Sequence, residues 1–161
     1  MPEILDVTPS TPRELAIRRR LAAPRAAVWR CWTEPALLEP WFCPRPWRVT
    51  DVSLDVRPGG ASSMIMRGPD GEAFPNDGVY LEVVPQTRLV FTDAFRAGWV
   101  IADEPLFVGI VELEDAPEGG TLYTARARHF TDEGKASHEA MGFHEGWGVA
   151  AEQLEETAAS L

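Results

Sequence analysis

His138-Glu139-Ala140-Met141-Gly142-Phe143-His144-Glu145-Gly146-Trp147-Gly148-Val149-Ala150-Ala151-Glu152-Gln153-Leu154 is the stretch whose reading decides the fold. Ala140, His144, Trp147, Ala151, Leu154 and Ala158 fall alternately four and three residues apart, the spacing of one helical stripe. Met141, Phe143 and Val149 or Ala150 widen that stripe, while Glu139, Glu145, Glu152, Glu155 and Glu156 fill much of the rest. The spacing predicts a long amphipathic helix lying on an apolar surface. Gly142, Gly146 and Gly148 interrupt it, and each costs about 1 kcal/mol relative to alanine in a helix interior. Close approach of the backbone to a sheet, or room beside it for a ligand, is the expected reason for keeping them.

Only strand and short-helix patterns precede this segment, so the apolar surface is expected to be a sheet. Residues 1–12 hold Pro2, Pro9 and Pro12 among small polar residues and read as a flexible leader. Residues 13–161 read as a single domain. Leu15, Ile17, Arg19 and Leu21 alternate with Ala16, Arg18 and Arg20, as in a strand with one face inward. Pro24 suits the first turn of a helix that buries Ala27, Val28, Cys31 and Trp32, and Thr33-Glu34-Pro35 opens a second short one. Strands are expected near 48–56, 60–67, 72–84, 87–94, 106–114 and 120–130, separated by proline and glycine turn chemistry such as Arg57-Pro58-Gly59-Gly60. The stretch 95–105, with Gly98-Trp99 at its middle, reads as a loop over one edge or mouth of the sheet.

Composition narrows the function classes. The formal charge of −10 repels phosphate backbones and anionic surfaces, so no nucleic-acid partner is expected. No apolar run is long enough to insert in a membrane, and no secretion signal opens the chain, so a cytoplasmic protein is expected. Cys31 and Cys43 are read as small buried hydrophobes. Phosphate loops, dinucleotide fingerprints and zinc patterns are missing, and no cofactor or metal is expected. His138 and His144 lie six apart and point away from each other on a helix, and His129 could join one of them only through the strand-to-helix turn, which makes a shared metal poor.

Several strings together resemble one family: Ala23-Pro24 with Val28-Trp29 and Trp32; Thr33-Glu34-Pro35 with Leu38 and Trp41; Asp55-Val56-Arg57-Pro58-Gly59-Gly60; Gly78 with Tyr80-Leu81-Glu82-Val83; Leu89-Val90-Phe91-Thr92; and Gly146-Trp147 with Leu154. Their order is similar to that of the START-related (SRPBCC) helix-grip superfamily, and within it the activator of Hsp90 ATPase homologue 1-like (AHSA1-like) group. The resemblance implies an α+β fold in which a curved antiparallel sheet of six to seven strands wraps the long C-terminal helix. Two short helices would close one end, over an apolar cavity. The eukaryotic Hsp90 activator joins this domain to a separate N-terminal one that stimulates the chaperone. A chain of 161 residues is not expected to hold both, so Hsp90 activation is not carried over.

Aromatic and methionine side chains supply the candidate cavity lining: Met64, Met66, Tyr80, Phe91, Phe107 and Tyr123 on strands, with Met141, Phe143, His144, Trp147, Ala151 and Leu154 on the helix. The first reading is a binding module for a small apolar or amphipathic molecule. The second is an enzyme of cyclase or dehydratase type, moving a proton with His144 and drawing on Tyr123, Glu82 or Arg126. The blander alternative leaves Glu82 and Arg126 solvated on the outer sheet face and His144 at the pocket rim. Strand register decides between them, since one slip reverses every side chain. A third reading is a chaperone-associated interaction domain using the Trp99 loop or the acidic surface, and a homodimer is compatible with any of the three.

Overall fold

In the computed structural model, which describes residues 1–161, the chain opens with a strand rather than a loose leader. β1 (Glu3–Leu5) pairs antiparallel with β2 (Glu14–Leu21), setting Glu3 opposite Arg20 and Leu5 opposite Arg18. The turn between them is tied down too. Ser10 N–H donates to the Glu14 carboxylate, and the Thr8 and Pro12 carbonyls accept from Arg126 and Lys135. Paired backbone and these side-chain bonds override the proline-rich composition that suggested flexibility.

Two prolines then start two helices. Pro24 is the extended residue before α1 (Arg25–Thr33), and Pro35 occupies the first turn of α2 (Pro35–Leu38), where its missing N–H leaves nothing unpaired. Six long strands follow: β3 (Arg48–Leu54), β4 (Ala61–Arg67), β5 (Ala73–Val84), β6 (Arg88–Thr92), β9 (Phe107–Asp115) and β10 (Thr121–His129). Between β6 and β9 the expected loop folds instead as a small hairpin, β7 (Phe95–Arg96) with β8 (Val100–Ile101), turning at Gly98-Trp99.

The main sheet has eight strands in the order β1-β2-β10-β9-β6-β5-β4-β3, one or two more than expected. Every neighbouring pair is antiparallel. The C-terminal segment is two helices, α3 (Asp132–Ala140) and α4 (Phe143–Ala159). Gly142 divides them at φ +93°, a left-handed conformation that only glycine adopts without strain. The break changes the helical phase. Ala140 and His144, placed by the sequence on the inner stripe, are both exposed, while Phe143, Ala150, Ala151, Leu154 and Ala158 form the buried stripe of α4. These pack with Leu15, Ile17 and Leu21 of β2, with Ala125 and Ala127 of β10, and with Val28 and Trp32 of α1 in one core.

Candidate functional site

Between the concave sheet face and the helices lies a cavity of about 600 Å³. Its sheet wall comes from Met64 and Met66 on β4, Tyr80 on β5, Phe91 on β6, Phe107 on β9 and Tyr123 on β10. Trp32 of α1, Leu38 of α2 and Trp41 to Pro44 after it close one end, and Phe143, Gly146, Trp147 and Ala150 of α4 form the roof. Met141, at the α3–α4 break and 74% exposed, stands at the mouth. Ala151 and Leu154 sit deeper in the core and do not reach the cavity, and His144 is on the solvent side of α4.

The walls are held by aromatic contacts in a continuous run. Trp32 meets Trp41 edge-on at 4.9 Å between ring centres and Phe91 at 5.6 Å; Phe91 meets Phe107 at 6.3 Å, and Phe107 meets Trp147 at 5.9 Å. Such edge and tilted pairs add about 0.5–1.5 kcal/mol each beyond burial. Gly109, beside Phe91 on β9, is required by this packing, because a Cβ there would collide with the Phe91 ring.

Gln153 is a support of the cavity wall that periodicity missed. Its amide donates to the Trp41 and Cys43 carbonyls at 3.0 and 2.7 Å and accepts from Arg45 N–H at 3.0 Å, pinning the Trp41–Arg45 loop to α4. The signal in the sequence was a polar residue falling on the stripe beside Ala150 and Leu154.

The polar candidates divide by face. Tyr123, on the inner face of β10, lines the cavity, but Arg126, three residues on, points the other way into Glu14 and Glu112 at 2.7 and 3.1 Å. Glu82 also lies outside, paired with Arg88 at 3.2 Å. Strict alternation would have put Glu82 on the face of Tyr80. A bulge at Leu81, where Tyr80 pairs with Phe91 and Glu82 with Val90, turns it outward. The proton-transfer set proposed from sequence therefore does not assemble: of His144, Tyr123, Glu82 and Arg126, Tyr123 alone faces the cavity.

The histidine that does face the cavity is His138 on α3. Its Nδ1 lies 2.8 Å from Nε2 of His129, at the end of β10. Burial, and then the neighbouring His129, push its pKa down to about 4. Burial also raises the Cys43 thiol on the cavity wall to about 11 and Tyr80 to about 12, and Tyr123 further still, so all three are neutral at physiological pH. Cys31 and Cys43 are both free. No group of three His, Cys, Asp or Glu side chains is arranged to hold a metal ion.

An eight-stranded antiparallel sheet closed on a C-terminal helix, with two short helices after the first long strand and an apolar cavity between the layers, defines the helix-grip class of the START-related superfamily. The chain belongs to the activator of Hsp90 ATPase homolog 1-like family, whose model matches residues 22–159. It is similar to a crystallised protein of Nitrosomonas europaea, with 43% identity over 91% of this chain and 94% of that one and a TM-score of 0.88. A Rhodobacter sphaeroides protein shares 25% identity across 100% of both chains at a TM-score of 0.83. A Mycobacterium smegmatis protein shares 26% across 95% of each at 0.78. No curated protein matches the chain. Folds of this class commonly bind hydrophobic ligands, and no helix here is long and apolar enough to cross a membrane.

Proposed function

We propose that this protein holds a small, mainly apolar molecule in the cavity between sheet and helices, without covalent chemistry. The observation that carries the reading is the cavity itself: about 600 Å³, within the usual range for ligand sites, with 18 of its 29 lining residues hydrophobic. A core designed only for packing leaves few voids larger than a water molecule. Supporting it, Met64, Met66 and Met141 offer adaptable walls, and Gly146 leaves the roof open over the space.

Native mass spectrometry of protein purified from its own cells tests this. A co-purified small molecule, lost on substituting Ala150→Trp to fill the cavity, is the expected result. Empty wild-type protein that also fails to take up a neutral apolar dye such as Nile red would remove the reading.

A further inference from the structure

Among the cavity's polar groups, His138 and Tyr123 combine a hydrogen-bonding sense imposed by neighbours with a position left unpaired. His129 Nδ1 lies 2.9 Å from the Arg13 carbonyl oxygen. A carbonyl only accepts, so in the neutral ring the His129 proton is on Nδ1 and its Nε2 is a bare lone pair. That lone pair accepts from His138 Nδ1 at 2.8 Å, which places the His138 proton on Nδ1. Neutral His138 therefore presents a bare Nε2, an acceptor with no donor for it within the chain.

Tyr123 has the opposite sense. It is only 3% exposed, and the Trp32 indole N–H lies against its phenol oxygen, short of full hydrogen-bond geometry. With a donor facing its oxygen, the phenol has its own proton to give, and no group of the chain accepts it. Between the two anchors stand the rings of Phe107, 5.5 Å from His138, and Phe91, 5.6 Å from Trp32. No Lys or Arg lines the cavity. Its only charged lining side chains are Asp77 and Asp93, and Asp93 is already bound by the N–H groups of Leu106 and Phe107. A carboxylate headgroup would meet negative charge and no counter-ion.

We propose that the cavity selects an uncharged, ring-containing molecule bearing a hydroxyl that donates to His138 Nε2 and a separate oxygen that accepts from the Tyr123 hydroxyl. This rests on the ligand-binding reading and narrows it to hydroxy-ketones or hydroxy-esters on a ring framework, as against fatty acids and other carboxylates. It also sets the orientation, with the hydroxyl toward α3 and the accepting oxygen toward α1.

Calorimetric titration with a matched set of probes tests it: a hydroxynaphthyl methyl ketone, its O-methyl ether, the hydroxynaphthalene without the acetyl group, and the corresponding hydroxynaphthoate. The hydroxy-ketone is expected to bind about tenfold tighter than the ether and about tenfold tighter than the compound without the acetyl group, the size of one well-made hydrogen bond in each case. The naphthoate is expected to bind weakest. His138→Phe should abolish the first preference alone, and Tyr123→Phe the second alone. Should a variant fold poorly, the imidazole nitrogen chemical shifts of the wild-type protein read the His138 tautomer directly, with the proton expected on Nδ1. Equal binding of hydroxy-ketone and ether, tightest binding of the naphthoate, or a proton on His138 Nε2 overturns the inference. Nile red separates the two levels: dye uptake with no discrimination among probes sinks this inference alone, and failure of dye and probes together sinks the binding reading beneath it as well.

Discussion

Along β10 the inner and outer faces carry opposite chemistry. Tyr123, Ala125, Ala127 and His129 are buried toward the helices, whereas Arg126 and Arg128 turn outward into Glu14. The outer face continues this way across five strands, as Glu82, Arg88, Glu112, Arg126, Glu14 and Arg128 form one chain of ion pairs between 2.7 and 3.2 Å. The inner face of β10 presents the Tyr123 phenol to a cavity that no Lys or Arg lines. Residue type alone therefore does not identify a site in such a sheet. Charged groups that look catalytic in the sequence satisfy one another outside, while His138 and Tyr123, both uncharged, keep unused hydrogen-bonding capacity inside.

The inner face is the more sensitive of the two. Leu154 has no exposed surface and packs in the core formed by α4, β2, β10 and α1. Leu154→Ala is expected to cost about 2–5 kcal/mol, through lost burial and the space left behind. Urea unfolding measures it, and a loss below about 1 kcal/mol would mean that α4 is held by something other than its buried stripe.

On the outer face the largest expected effect is at Glu14, which has no exposed surface yet is covered only by arginine side chains and the N-terminal segment. Burial alone would raise its pKa, but Arg128, the Ser10 N–H and Arg126 together hold it below the ordinary value. Because its folded pKa is depressed, its contribution is complete above the carboxylate's ordinary pKa of 4.5 and is lost as the pH falls below that. Glu14→Gln is expected to cost about 1–3 kcal/mol at neutral pH, under thin cover, and less in acid. A variant equally destabilised at neutral and acid pH would show that shape rather than charge holds the ladder together.

A pH effect of the same sign is expected inside, from half-buried His138. Its pKa falls from 6.5 in the unfolded chain to about 4 in the folded protein, so between those values the unfolded chain binds more protons. Stability is therefore greatest above pH 6.5 and declines as the pH drops toward 4. His138→Gln can still donate to His129 but does not titrate, and it should flatten that part of the pH–stability curve. An unchanged slope would place the titration elsewhere.

Much of the architecture was legible from residues that act locally. The turn chemistry at Arg57-Pro58-Gly59-Gly60, the prolines before α1 and in α2, and the alternation of β2 fixed element order before any tertiary contact was known. The cavity wall was legible where long alternating strands decide the face: Met64, Met66, Tyr80, Phe91, Phe107 and Tyr123 all line it. It was not legible where one residue resets the phase. The bulge at Leu81 turned Glu82 outward, and the left-handed Gly142 rotated His144 away from the roof. His129 could reach a helix histidine only through the strand-to-helix turn, whose path no local pattern decides; the tight turn before α3 brings it to His138.

The smallest predicted effect sharpens the comparison within the inner face itself. Gly142 and Gly146 look alike in sequence, one turn apart in a helical stretch, and both line the cavity. Alanine at Gly142 would be forced to φ +93°, costing about 1–2 kcal/mol. Alanine at Gly146 meets no atom within 4 Å and has no unusual φ, so helix propensity governs and the substitution should stabilise by up to about 1 kcal/mol. The two substitutions should move the melting temperature in opposite directions. The cavity reading adds a second consequence for Gly146, since its new methyl group would narrow the space beside Trp147. Gain of stability with loss of Nile red uptake would show that this glycine is kept for what the cavity holds; gain of stability with full uptake would place the ligand elsewhere along the aromatic wall.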